Sequence, residues 1–247
     1  MEQGQADVQL LPKVKERLSW RYGFESLTVL PAKRSVTQLT HRGDEYVKVD
    51  FSGALARKPR VVSAVDLAEP VQSRFIGTAT HLVISRLDLT KQVNKEAVEK
   101  TVERLVAAGA IAEAVAECID TGSIMSFFES ELGAKALDSD SRIWREWPFT
   151  FAVAACEFAD SGSGLRATSD EAIIVQGMVD MLLRTPDGLL IIDFKTDSVT
   201  AGRAKERAEL YSEQLALYGR AAEAILNDKL LGKWVYFLNC GCAVELE

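Results

Sequence analysis

Apolar residues recur at helical intervals from Phe75 to Leu87, and again from Asn94 to about Cys118, where Val98, Val102, Leu105 and Val106 form one stripe. Asn94 stands where a cap belongs. Val8 to Trp20, Ser123 to Leu132 and a long stretch from Ala201 to Leu226 also read as helices. Ser35-Val-Thr-Gln38 has the spacing of a capping box opening a short helix. The pattern changes to strand over Arg145 to Cys156, Ala172 to Leu183, Leu189 to Lys195 and Trp234 to Asn239. Helices first, then three strands, a helix and a strand, predict an α/β core with a helical N-terminal layer. From His41 to Pro70 there is little periodicity, and Arg57, Lys58, Pro59 and Arg60 are basic, so residues 41–72 are expected to be a flexible linker or loop. Ala159 to Glu171, rich in Gly and Ser, is expected to be mobile. There is no internal repeat.

Thr185-Pro186-Asp187-Gly188 separates two of the apolar runs and predicts a hairpin. With a two-residue loop, Leu183 faces Leu190, Met181 faces Ile192, Val179 faces Phe194 and Asp180 faces Asp193. A one-residue slip would instead set Met181 against Asp193 and part the carboxylates; the apolar matching favours the first register. Asp193 and Lys195, two apart, share a face. Two carboxylates so placed repel unless something positive lies between them, and a divalent cation supplies that charge. Hard oxygen ligands suit Mg²⁺ or Mn²⁺, which activate water for a phosphodiester displacement, with Lys195 orienting the water or neutralising a phosphate oxygen. The plainer alternative is a set of solvated charges on an exposed sheet face.

At 247 residues and 47% hydrophobic content, the chain can bury a substantial core. It has no run of about 18 apolar residues and no basic or apolar N-terminal leader, so a cytoplasmic location without a membrane partner is expected. Cys118, Cys156, Cys240 and Cys242 lack metal-site spacing and are expected to be ordinary thiols. The net charge of −7 disfavours broad affinity for polyanions, although residues 1–60 hold 11 Lys/Arg against 7 Asp/Glu. No GxxxxGK[ST] loop is present, so the chain is not itself an ATP-driven motor.

Five further residues carry more than one reading. Tyr211, Gln214 and Tyr218 share a helical face with Leu215, Ala222 and Ile225; they either touch a nucleic acid or pack on the sheet. His81 in Gly77-Thr-Ala-Thr-His81 is a third metal ligand or a satisfied core histidine, with Gly77 admitting another backbone closely. Glu146 coordinates, positions or is merely solvated.

In order along the chain, Ser35-Val-Thr-Gln-Leu39, Gly77-Thr-x-x-His81, Glu146-x-Pro148-Phe149, Gly177-x-x-Asp180, Asp193-Phe-Lys195-Thr-Asp197 and Gln214-x-x-x-Tyr218 resemble the motifs of the RecB-like branch of the PD-(D/E)XK superfamily, closest to the C-terminal nuclease domain of AddA-type helicase-nuclease subunits. The resemblance implies a restriction-endonuclease-like core, a mixed central sheet flanked by helices. It implies metal ligation by His81, Asp180, Asp193 and the Phe194 carbonyl, catalysis by Asp180, Asp193 and Lys195, and substrate or supporting roles for Gln214 and Tyr218. The four-cysteine spacing of that branch's iron-sulfur cluster is absent, so no cluster is expected. The chain then reads as an excised module, with residues 1–34 as the connector from the helicase, residues 35–247 as the nuclease domain and Leu246-Glu247 as a cloning remnant. A helicase portion of the same parent polypeptide would feed it single-stranded DNA during double-strand break repair and recombination, alongside a second helicase-nuclease subunit. The rival expectations are a freestanding exonuclease of the same fold, and an inactive DNA-end-binding or subunit-docking module.

Overall fold

A computed structural model describes residues 10–20, 33–40, 73–158 and 172–247. The expected linker 41–72, the loop from Ala159 to Glu171 and, of the expected connector 1–34, residues 1–9 and 21–32 lie outside the described residues. The chain divides into two compact units, Met1–Lys33 with Ala152–Ile174, and Arg34–Phe151 with Val175–Glu247. In the first, α1 (Leu10–Leu18) carries Lys15 and Arg17 in its last turn, where the helix dipole favours cations.

The second unit holds the other α-helices and most of the sheet. Strands β1 (Lys33–Ser35), β2 (Arg142–Ala154), β3 (Ala172–Thr185), β4 (Gly188–Lys195), β5 (Leu230–Phe237) and β6 (Cys242–Leu246) form one sheet in the order β1-β3-β4-β5-β6, with β2 also pairing with β3. β3 and β4 are antiparallel, β4 and β5 parallel, β5 and β6 antiparallel, so the sheet is mixed and flanked by helices, as expected. The hairpin has the predicted two-residue loop: Thr185 pairs with Gly188, Leu183 with Leu190 and Met181 with Ile192. The slipped register is excluded by that last pair. Beyond Met181 the paired ladder stops, and Asp180 meets β4 through its side chain instead.

Local signals hold where they are strongest. Ser35 Oγ accepts from Gln38 N–H at 3.2 Å while Gln38 Oε1 accepts from Ser35 N–H at 3.0 Å, the reciprocal capping box, and α2 (Val36–Thr40) follows. α3 (Ser73–Arg86) matches the Phe75 to Leu87 pattern. Asn94 caps α4 (Lys95–Ala107) through the Ala97 N–H.

The long helices expected from the sequence are shorter in the fold. α4 ends at Ala107, not near Cys118, because Gly109 takes φ +67° and the Gly109 and Ala110 N–H groups turn back to the Val106 and Leu105 carbonyls; a short α5 (Glu113–Ala116) follows. Ser130 divides the expected Ser123 to Leu132 helix into α6 (Thr121–Glu129) and α7 (Glu131–Leu137), its hydroxyl capping α7 at the Gly133 N–H. The stretch from Ala201 to Leu226 is a 3₁₀ turn, then α8 (Ala204–Glu209), then α9 (Ser212–Leu226), broken at Leu210 and Tyr211. Beyond the expected closing strand, Gly241 at φ +62° turns the chain back into β6, which the sequence reading missed. No helix among the described residues is long and apolar enough to cross a membrane.

β4 lies inside. Leu190, Ile192 and Phe194 join Met181, Leu183 and Tyr236 in a core with Val83, Ile84, Ile124 and Phe127 from the N-terminal helices. On β5, Val235 and Phe237 pack with Ala204, Ala208, Tyr211 and Leu215 of the later helices. Residues Gly188 to Phe194 are all buried, the state of a strand covered on both faces.

Candidate active site

Among those buried β4 residues is Asp193, 2% exposed. It is no solvated surface charge, and a carboxylate taken this far from water needs compensation. Lys195 Nζ stands 2.8 Å from Asp193 Oδ2. The approach is ionic and falls outside hydrogen-bond geometry, so Oδ2 is a buried oxygen without a hydrogen-bond donor among the described residues. From α9, Gln214 Nε2 donates to Asp193 Oδ1 over a long 3.4 Å and to the Tyr218 hydroxyl at 2.8 Å.

Asp180 sits one residue past the end of the β3–β4 ladder. Its Oδ2 accepts the Phe194 backbone N–H at 2.9 Å, and its Oδ1 lies 3.2 Å from His81 Nδ1. His81 comes from α3, whose C-terminal carbonyls are held by two arginines: Arg145 Nη1 donates to the Ile84 and Leu87 oxygens, and Arg104 Nη2 to Arg86 O at 2.9 Å. The His81 ring also meets Phe194 edge-on, centroids 6.3 Å apart.

The glycines of the sequence motifs make room. A β-carbon on Gly77 would lie 2.8 Å from Thr196 Oγ1, so α3 approaches the residue after Lys195; the close neighbour is a side chain, not the backbone expected. A β-carbon on Gly177 would lie 2.4 Å from Phe149 Cζ. The Phe149 ring occupies that space and meets the Tyr218 ring edge-on at 5.6 Å. Gly177, Phe149, Tyr218 and Gln214 thus form a packed chain ending on Asp193.

Charge is distributed unevenly. Burial opposes a charge on Lys195, but Asp193 and then Asp180 outweigh it and hold the ammonium above its ordinary range. Burial likewise opposes protonated His81, yet the neighbouring Asp180 carboxylate raises its pKa. Asp180 is held below the usual carboxylate value: burial acts against this, while His81, Lys195 and the Phe194 N–H prevail. Asp193 is pushed up by burial, with the like charge of Asp180 adding to it, against Lys195. Opposite shifts on two adjacent carboxylates are characteristic of functional sites.

Glu146 belongs to this group, although sequence reasoning left its role open. It takes φ +48° in the middle of β2, a left-handed conformation that is strained for a residue with a β-carbon. Burial raises its pKa, and its electrostatic neighbours include Arg86, Asp180 and His81. Asp197 and Tyr211 were missed as a pair: just past the end of β4, Asp197 Oδ2 accepts the Tyr211 hydroxyl at 2.8 Å. A cavity of about 570 Å³ is lined by Asp197, Ser198, Thr200, Arg203 and Arg207; Asp180, Asp193 and Lys195 are not among its lining residues.

The donor set suits a divalent cation: two carboxylates and an imidazole, the innermost carboxylate oxygen being faced among the described residues by the Lys195 ammonium. As packed, Lys195 holds the place beside that oxygen. Among the described residues no three His, Cys, Asp or Glu side chains are gathered closely round one point.

Residues 54–242 match the model of the PD-(D/E)XK nuclease superfamily. Curated relatives, each named as a subunit of an ATP-dependent helicase/nuclease, include that of Moorella thermoacetica, 32% identical over 237 residues covering 94% of this chain and 16% of the relative, and that of Bacillus cereus ATCC 10987, 32% identical over 249 residues covering 95% and 19%. The relative from Desulforamulus reducens is 30% identical over 245 residues, 97% of this chain and 19% of the relative. The chain therefore spans about a fifth of the length of these relatives. With a mixed sheet, a buried Asp-x-Lys strand end and this match over most of its length, the chain belongs to the PD-(D/E)XK nuclease superfamily and is consistent with the nuclease domain of an AddA-type helicase-nuclease.

Proposed function

We propose that this chain is a Mg²⁺-dependent nuclease domain, with Mn²⁺ as a substitute, that hydrolyses phosphodiester bonds of single-stranded DNA. The observation that carries the reading is the buried Asp193–Lys195 pair beside the Asp180–His81 pair at one strand end. Asp180, Asp193 and His81 would hold the metal, with the Phe194 carbonyl as a further oxygen ligand. When bound, such a cation supplies Lewis acidity and a more acidic water. Lys195 stays protonated beside Asp193, where its ammonium orients the attacking water or neutralises a phosphate oxygen as the P–O bond breaks. Gln214, braced by the buried Tyr218, would fix Asp193 and support the site from α9.

The module would act in the cytoplasm within an ATP-dependent helicase-nuclease that processes double-strand breaks for repair and recombination. A helicase portion of the same parent polypeptide, joined through residues 1–34, would deliver the strand to residues 35–247, beside a second helicase-nuclease subunit. The relatives' names and the chain's share of their length support this placement. With a net charge of −7, the isolated chain is expected to need low salt to bind DNA.

The test is degradation of labelled single-stranded DNA at low salt with Mg²⁺ or Mn²⁺, against an EDTA control and Asp193→Ala. Metal-dependent cutting that disappears in the variant supports the reading. Full activity in pure Asp193→Ala protein would overturn it.

A further inference from the structure

We propose that Tyr211, Asp197 and Arg207 form a bracket that fixes the Lys195 ammonium over Asp193, which makes Tyr211 a positioning residue for strand cleavage. The inference rests on the reading of Lys195 as the cation used in that reaction.

A lysine side chain has many rotamers, and a single carboxylate partner restrains its charged end weakly. Here there is a second contact. Lys195 Nζ lies 4.3 Å from the centroid of the Tyr211 ring, well within cation–π range. The ring is 8% exposed and packed among Ala204, Ala208, Leu215, Val235 and Phe237, so it is a fixed surface. Its outer edge is tied as well: the hydroxyl donates to Asp197 Oδ2, and the same oxygen accepts from Arg207 Nε at 2.6 Å. Burial, with Asp197 adding to it, pushes the Tyr211 hydroxyl up to about 12, so it remains a donor.

The backbone carrying Asp197 is pinned too. Asn239 Nδ2 donates to Thr196 O at 2.8 Å and to Asp197 O at 3.3 Å. Tyr211 itself stands at the break between α8 and α9, at φ −104° and ψ 2°. Lys195 is thus held at its root by strand β4, at its tip by Asp193, and along its side by a ring that Asp197 and Arg207 keep from turning.

A double-mutant cycle separates positioning from general packing. Single-turnover cleavage of labelled single-stranded DNA with Mg²⁺ is measured for the full chain, Tyr211→Phe, Tyr211→Leu, Lys195→Ala and Lys195→Ala/Tyr211→Leu, with melting curves to establish folding. Tyr211→Leu should lower the maximal rate about tenfold with the Michaelis constant within about twofold, and Tyr211→Phe, which keeps the ring, should lower it only about threefold. On the Lys195→Ala background, Tyr211→Leu should change the rate by less than about twofold. Equal loss on both backgrounds overturns the proposal, and wild-type rate in Lys195→Ala overturns the reading of Lys195 beneath it.

A readout independent of activity uses protein labelled with ¹³C at the lysine ε-carbon, with Lys195 assigned through Lys195→Arg. The Lys195 resonance should be shifted by the aromatic ring, move to the ordinary lysine position in Tyr211→Leu and stay in place in Tyr211→Phe. A Lys195 resonance that Tyr211→Leu leaves unmoved ends the proposal, whatever the activity.

Discussion

Asp180 closes the gap that its own strand leaves open: where the β3–β4 ladder ends, its carboxylate accepts the Phe194 N–H at 2.9 Å. One side chain therefore serves both the sheet and the site. Replacing it with alanine leaves a buried N–H without its acceptor, at a cost of about 1–3 kcal/mol in stability. Asp180→Asn keeps an acceptor oxygen and should melt close to the parent while cutting DNA at least about a hundredfold more slowly, as expected for a lost charged ligand. Melting and cleavage assays on the two variants check the separation.

The Gly177 gap is filled by Phe149, so adding a methyl group there should be felt at Asp193. Gly177→Ala puts a β-carbon 2.4 Å from Phe149 Cζ and 3.0 Å from Val36 Cγ2. Overpacking of this kind costs about 1–3 kcal/mol, and displacement of Phe149 loosens the Tyr218–Gln214 contact. A second change, Phe149→Leu, should recover part of the stability of Gly177→Ala. Chemical denaturation of the two single variants and the double variant measures the coupling.

Glu146 offers a test of stored strain. Its φ of +48° is open to glycine without penalty and disfavours alanine. Both replacements remove the carboxyl group, so the difference between them isolates the backbone. Glu146→Gly should be more stable than Glu146→Ala by about 1–2 kcal/mol, and both should cut more slowly than the parent. Equal stability of the two would remove strain from the account of this residue.

An acid-sensitive tie holds the far end of the hairpin. Arg184 Nε donates to Asp228 Oδ2 at 2.6 Å, and this bond, with the Lys229 N–H, holds the Asp228 carboxyl below its ordinary 3.8. A depressed acid stabilises the fold above its unfolded pKa and ceases to do so as pH falls through its folded value. Arg184→Met should therefore melt below the parent at pH 7, with the difference closing below about pH 3.8. Melting curves of both proteins across that range follow the effect.

How far the sequence discloses this arrangement depends on how locally each feature is encoded. The hairpin register is legible because Pro186 and Gly188 set the turn and the apolar partners follow by alternation. The Ser35–Gln38 box and the Asn94 cap are legible for the same reason. Helix breaks are harder: Ser130 and Tyr211 sit inside continuous helical periodicity, and only the packing of two shorter helices reveals the stop. Gly109 carried a visible signal that the long stripe from Val98 to Val106 concealed. The burial of Asp193 was hidden for a different reason, because it depends on β4 being covered on both faces by elements distant in the chain. The left-handed Glu146 has no sequence mark at all.

Asn239, past the end of β5, holds the carbonyls of Thr196 and Asp197 at the exit of β4. The segment that follows Lys195 is thus fastened by a side chain 43 positions beyond Thr196, and His81 reaches Asp180 only after α3 and β3 have closed a long loop. The site is therefore assembled from contacts of high sequence separation. A fragment that ends before β5 and Asn239 would keep Asp180, Asp193 and Lys195 and lose the side chain that fastens the exit of β4, so it is expected to lack the arrangement on which the proposed cleavage depends.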